Sequence, residues 1–204
     1  MYKKYFKRLF DIIISLVAMI ILSPVYIIAS LYVLIFLGRP ILFAQDRIGK
    51  NEKPFKLYKF RSMTNKRDSN GNLLSESERL TKAGVFFRNS SLDELPELWS
   101  IFTGKMSLVG PRPMPTYYAP YFFEEERKRH SVLGGLIPPD SLSGKTVTSY
   151  EEQFKYECDY ADNITMIQDI KVIYHTFRIL FMRVKEDYGT CERPHLNVYR
   201  RDKV

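Results

Sequence analysis

The chain is poor in the residues that build redox and metal centres: of 204 residues, two are cysteines, Cys158 and Cys191, and three are histidines, His130, His175 and His195. The cysteines are far apart and in no ligand or redox spacing, which argues against a disulfide scaffold and fits a reducing compartment. Isolated histidines give no zinc motif, so no zinc site is expected. Internal repeats and low-complexity tracts are absent. Acidic residues are also in deficit, with 23 Asp and Glu against 31 Lys and Arg and a formal charge of +8. An anionic partner is therefore expected, and nucleic acid, anionic lipid and a nucleotide-sugar all meet that description. Hydrophobic content of 45% and charged content of 26% argue against disorder and allow one compact domain plus one membrane segment.

Hydrocarbon is what the chain has at length. Residues 12–37 form an almost unbroken apolar run, interrupted by Ser15, Ser23-Pro24 and Ser30. The run is too long for a signal peptide and lacks a small-residue cleavage site. Lys3, Lys4, Lys7 and Arg8 precede it, and Arg39, Arg47 and Lys50 follow it, so both ends favour the cytoplasmic side and suit anionic head groups. Pro24 removes a backbone donor near the middle, where the Ser23 hydroxyl can help satisfy the freed groups. Each half would be about 12 residues, or about 18 Å, short of a hydrocarbon core about 30 Å thick. These residues leave two arrangements open, a re-entrant hairpin and a kinked span. Asp11, next in reach of Arg8, reads as half of a neutralised interfacial pair without a catalytic part.

Residues 41–61 alternate apolar and polar around Gly49-Lys50-Asn51 and predict a β-hairpin carrying Arg47, Lys59 and Arg61. Taken alone, those cations are a solvated basic face. A polar Asn-Gly loop follows at 64–74, then one short helix over 75–87 ending near Arg88. The aromatic stretch from Met114 to Phe123 suits a bilayer interface and a packed core equally. Glu124–Arg129 offers the pairs Glu124 with Lys128 and Glu125 with Arg129, which predict an exposed helix face. A final helix from about Asn163 to Lys185 would place Ile167, Ile170, Ile173 or Tyr174, Phe177, Leu180 or Phe181, and Val184 on one face, with Gly189 as its stop. The fold class is α+β and mostly helical, with a small β-hairpin and both interfacial and globular helices.

The centre of the sequence is residues 88–113. Ser91-x-x-Glu94 fits a capping box ahead of Leu95, Leu98, Ile101 and Phe102, and acidic residues in a first helical turn need no further explanation. They also have a chemical reading. A carboxylate such as Asp93 can attack a phosphoryl centre or hold a divalent cation, and a helix N-terminus receives anions. Gly110-Pro111-Arg112-Pro113, stiffened by two prolines, could present one arginine to a phosphate at a fixed distance.

Several long motifs in order, Phe43-x-Gln45-x-Arg47-x-Gly49, Phe55 to Met63, Arg88 with Ser91 to Leu98, Gly104 to Pro113, and Asp159 to Thr165 with Asp169-Ile170-Lys171, resemble the bacterial sugar transferases, the monotopic phosphoglycosyl transferases. The resemblance covers nearly the whole chain and is to the small, single-domain members. It implies transfer of a phospho-sugar from a UDP-sugar to polyprenyl phosphate, with release of UMP. In that reading Asp93 attacks the β-phosphate and carries the phospho-sugar, Glu94 assists as base or metal partner, and Mg²⁺ binds near Asp93. Lys59, Arg61, Arg88, Arg112 and Lys145 become phosphate-binding candidates. The resemblance also favours the re-entrant hairpin broken at Ser23 and Pro24. Residues 1–40 would then be a membrane unit and 41–204 a cytoplasmic catalytic domain, monotopic on the inner face of a bacterial inner membrane. The chain departs from the family pattern at 133–145, where Lys145 stands in place of an arginine and the usual Arg-Pro and glutamine are missing. Neither the sugar, the consuming pathway nor a homodimer is specified by these residues. Two other classes remain: a non-catalytic membrane-surface anchor or adaptor, and a nucleic-acid binder, for which there is no recognition motif.

Overall fold

The computed structural model describes residues 1–183 and 193–201. A π-helical turn, Tyr2–Phe6, runs into α1 (Lys7–Ile21), which stops at Leu22 and restarts as α2 (Ser23–Phe36). Leu22 has φ −86° and ψ 4°, and Ser23 Oγ donates to the Ile20 carbonyl at 2.8 Å. Pro24 sits in the first turn of α2, where a missing N–H costs nothing, so the break is also a helix start. The two helical arms, Tyr2–Ile21 and Ser23–Phe36, bend by 64°, and among the described residues no single helix is long and apolar enough to cross a membrane. The halves are longer than expected, at 15 and 14 residues.

Asp11 does not pair with Arg8. Its Oδ1 accepts from the Leu108 N–H at 2.9 Å, while Arg8 donates to the Ile101 and Phe102 carbonyls at 2.6 and 2.7 Å. Both side chains serve backbone groups, at the end of the helix Glu97–Phe102 and in the strand Ser107–Val109, which outweighs a solvated ion pair.

The expected hairpin is β1 (Leu42–Ile48) against β2 (Pro54–Phe60), antiparallel, with Phe43 opposite Lys59 and Arg47 opposite Phe55. The helix expected over 75–87 is two: α3 (Glu76–Arg79), with a Ser75–Glu78 capping box, and α4 (Lys82–Asn89), capped by Thr81 accepting from Gly84. Two N-caps so close together force a break, since each cap residue takes extended backbone. Next come α5 (Glu97–Phe102) and β3 (Ser107–Val109), which pairs in parallel with β4 (Gly135–Ile137). A methyl group added at Gly135 would lie 2.1 Å from the Gly110 nitrogen, so the glycine there is set by backbone contact. The chain closes with α6 (Tyr150–Asp162), α7 (Met166–Arg183) and α8 (Leu196–Tyr199).

The aromatic stretch packs inward. Tyr118 and Phe122 are buried with Ile48, Met114, Tyr150, Phe154 and Leu196, although Tyr117 stays exposed. Each such ring contributes about 2–3 kcal/mol on burial. Glu124–Ser131 is not an exposed helix face but a 3-10 segment whose Glu126, Arg129 and His130 are buried. At three residues per turn, Glu126 and Arg129 stack on one side. Each meets an opposite charge, Arg200 for Glu126 and Glu157 for Arg129, while Lys128 pairs with Asp162.

The apolar face expected on helix α7 forms, and it is turned outward. Ile167, Ile170, Tyr174 and Phe177 are exposed, and Asp169, Val172 and Ile179 face inward. Asp169 sets this roll, because its carboxylate accepts from Tyr2, Lys7 and Tyr160 at 2.6–2.7 Å and a buried carboxylate needs such partners. Val184, Lys185, Gly189 and the Phe181 side chain lie outside the described residues.

Candidate active site

The site is built where the loop after α4 meets the hairpin. Ser91 adopts left-handed backbone, φ 55°, and makes no side-chain cap. The expected Ser91–Glu94 capping box is therefore absent. Leu92–Glu94 forms one 3-10 turn, and Glu94 swings toward β2. The register of β1 and β2 puts Arg47, Leu57 and Lys59 on one face, since directly opposed residues of a pair share a side. That face meets Glu94, Glu97 and Arg112, and Gly135 and Leu136 close the pocket.

Lys59 Nζ lies 2.7 Å from Glu94 Oε1 and 3.0 Å from Glu97 Oε1, and Arg112 Nη2 reaches Glu94 Oε1 at 3.1 Å. Burial alone would raise Glu94, but the charges of Arg112 and Lys59 outweigh it and hold its carboxyl at about 2. Glu97 is raised by burial, against the pull of Lys59. Asp93 behaves oppositely to its neighbour. Burial, then the Glu94 charge, pushes it up to about 6, with only partial relief from Lys59 and Arg88. Two adjacent carboxylates thus have separate characters: Glu94 is pinned and ionised by cations, whereas Asp93 makes no ion pair among the described residues and is a desolvated, more basic carboxylate.

The remaining candidates divide. Arg88 acts on Asp93 through space, lowering its pKa, and donates to Ser62 Oγ at 2.9 Å, but does not line the pocket. Arg61 is drawn elsewhere. It is buried and donates to the Leu37, Arg39 and Met63 carbonyls, closing the end of α2. Lys145 is on the surface, bound to both oxygens of Glu152 at 2.9 Å, and does not line the pocket. Among the described residues no group of three His, Cys, Asp or Glu side chains converges as a metal cage. Arg47, one of the three cations expected on the hairpin, lines the pocket, and so does Glu97, which has no expected role and is one helical turn from Glu94, a spacing that could have found it.

The profile of the family described as bacterial sugar transferase matches residues 2–183. The chain belongs to the bacterial sugar transferase family. Its similarity to the uncharacterized sugar transferase EpsL of Bacillus subtilis (strain 168) is 40% identity over 172 residues, 84% of this chain and 85% of that protein. It is 33% identical over 181 residues to the UDP-glucose:undecaprenyl-phosphate glucose-1-phosphate transferase of Klebsiella pneumoniae, 84% of this chain and 39% of that one. The undecaprenyl-phosphate galactose phosphotransferase of Salmonella typhimurium is 30% identical over 197 residues, 88% of this chain and 41% of that protein. This sugar transferase chain spans well under half the length of the latter two. The stretch they share with it contains the whole pocket described above, from Arg47 to Leu136.

Proposed function

We propose that this sugar transferase moves a phospho-sugar from a UDP-sugar to polyprenyl (undecaprenyl) phosphate, releasing UMP, at the cytoplasmic face of a bacterial inner membrane. The observation that carries this reading is the contrast between Asp93 and Glu94. A carboxylate raised to about 6 is largely ionised at neutral pH, yet no side-chain cation binds it among the described residues. In the first step an Asp93 oxygen bonds to the β-phosphorus, the bridging P–O bond breaks, and UMP leaves with the electron pair. In the second, a phosphate oxygen of the polyprenyl carrier bonds to the same phosphorus and the Asp93–P bond breaks. The free carboxylate returns, and no net proton is exchanged. Arg112, Arg88 and Arg47 offset the phosphate charge that develops. Glu94 holds Lys59 and Arg112 in place, and its low pKa makes it an orienting anion instead of a base at neutral pH.

Asp93 is also the carboxylate that would hold Mg²⁺. Magnesium commonly takes one or two protein carboxylates and completes its shell with water and substrate phosphates, so the lack of a protein cage fits an ion carried by the diphosphate, where it would neutralise charge.

The bilayer reading rests on the bent helical pair, with basic residues at both ends and exposed Ile13, Val17, Ile20, Ile27, Ile28 and Ile35. The exposed face of α7, flanked by Lys171 and Arg178, has the pattern of an interfacial helix. A re-entrant hairpin brings a soluble nucleotide and a buried lipid to one site.

The test is UMP release from a panel of UDP-sugars with detergent-solubilised protein, polyprenyl phosphate and Mg²⁺, comparing wild type with Asp93→Asn. Intact mass after incubation with donor alone should show one phospho-sugar adduct, lost in the variant. Folded wild-type protein that releases no UMP from any donor would favour the anchor or adaptor.

A further inference from the structure

Arg112 is held by its backbone far more firmly than by its side chain. The side chain is 46% exposed and its one ion pair is to Glu94 at 3.1 Å. An arginine that open has many rotamers to sample. Its peptide groups, in contrast, are gripped on both sides by a buried pair of charges. Glu157 Oε1 accepts from the Arg112 N–H at 2.8 Å, and Arg129 Nη2 donates to the Arg112 carbonyl at 2.6 Å. Arg129 Nε donates to Glu157 Oε2 at 2.6 Å, which closes the ring, and Gln153 donates to Glu157 Oε1 at 2.9 Å. Arg129 and Glu157 are 1% and 0% exposed. Pro111 and Pro113 fix the residues on either side, and the Pro113 carbonyl accepts from Arg47 at 3.0 Å.

A buried ion pair is a poor stabiliser against an apolar replacement of the same shape, because both charges must be desolvated. This one aims both of its members at the two peptide groups of a single residue, the pocket's half-exposed arginine. We infer that Glu157 and Arg129 are positioning residues, which fix the Arg112 guanidinium at the pocket before a phosphate arrives. Neither reaches the pocket itself. The inference rests on the proposed function in taking phosphate as the ligand of Arg112.

A double-mutant cycle tests it. Glu157→Gln and Arg129→Lys are made singly and together with Arg112→Lys, and UMP release is measured with the donor on which wild type is fastest. Each single change should lower kcat/KM by about tenfold to a hundredfold, as misplacement of a binding group does, with most of the loss in KM for the donor. In the Arg112→Lys background the same changes should cost less than about twofold, because residues acting through one partner are not additive. A loss that multiplies with that of Arg112→Lys, or no loss at all, overturns the inference. If Glu157→Gln fails to fold, Arg129→Lys carries the cycle. A second readout needs no turnover: the ¹⁵N-labelled arginine side-chain spectrum of the resting protein. The Arg112 Nε–H signal, assigned by its absence in Arg112→Lys, should be resolved in wild type and move to the solvent-averaged position in Glu157→Gln. An unmoved signal overturns the inference. Wild-type protein silent on every donor would sink the proposed function, and this spectrum would still decide the positioning.

Discussion

Lys59 Nζ stands 2.7 Å from Glu94 Oε1, and the same ammonium lies 3.0 Å from Glu97 Oε1. One cation from β2 therefore serves two carboxylates of the opposite wall and, among the described residues, makes no ion pair with Asp93. The lysine acts on Asp93 only through space, by lowering its pKa. Lys59→Met should remove that relief, so that the acid limb of the rate profile, expected in wild type near the raised Asp93 pKa of about 6, moves to higher pH. Single-turnover UMP release between pH 5 and 9 checks the direction. An acid limb that stays put or moves down would show that Asp93 is not the titrating group.

Asp93→Asn should abolish turnover, by about ten-thousandfold or more, as loss of a nucleophile does. The same change should stabilise the fold. Asp93 has a folded-state pKa raised from 3.8 to about 6, so the native state binds more protons than the unfolded state between those values, and stability falls as pH rises through that window. Removing the charge should recover on the order of 2–3 kcal/mol at pH 7. Glu94, lowered to about 2, has the opposite sign: its contribution is present above pH 4.5 and is lost as pH falls toward 2. Denaturant unfolding at pH 4 and pH 7 distinguishes the two carboxylates.

Arg200 is wholly buried and makes a two-pronged pair with Glu126 at 2.6 and 2.8 Å. It also donates to the Tyr121 carbonyl at 3.0 Å. Arg200→Ala leaves Glu126 buried and unpaired, which should cost about 3–5 kcal/mol, while replacing both residues with apolar ones of similar size should cost much less. Thermal unfolding of the single and double variants gives the comparison.

A re-entrant hairpin keeps both ends of the apolar segment on one side. A cysteine introduced at Lys3, in a background with Cys158 and Cys191 replaced by serine, should resist an impermeant maleimide added to intact cells and react once the membrane is opened. Labelling of intact cells would establish a span in place of the hairpin.

The parts of the fold legible in the sequence are those fixed by short-range chemistry. The helix break follows from Pro24, and the hairpin follows from alternation around Gly49-Lys50-Asn51. The structure brings Glu94, Lys59 and Arg112 into contact, while Asp93, next in the chain to Glu94, feels Lys59 only through space. What was misread depends on partners distant in sequence. Glu126 and Arg129 looked like a solvated charge run because their counter-charges, Arg200 and Glu157, come much later in the chain. The outward turn of the apolar face of helix α7 is not legible in the sequence, because it is set by Asp169, whose three donors include Tyr2 and Lys7 from the opposite end of the chain. Arg61 was counted with the phosphate ligands although the open end of α2 claims its donors.

The contacts of α1 also set an order of events for a chain made from its N-terminus. Arg8 waits for the carbonyls of Ile101 and Phe102, Asp11 for the N–H of Leu108, and Lys7 for Asp169. During synthesis these three polar side chains emerge on an apolar helix with their partners unmade, where each is costly to bury. The first segment made is therefore among the last to reach its final seat. A fragment begun after residue 40, however soluble, would lack the residues that terminate α5 and anchor β3, the two elements that lead into the turn that carries Arg112.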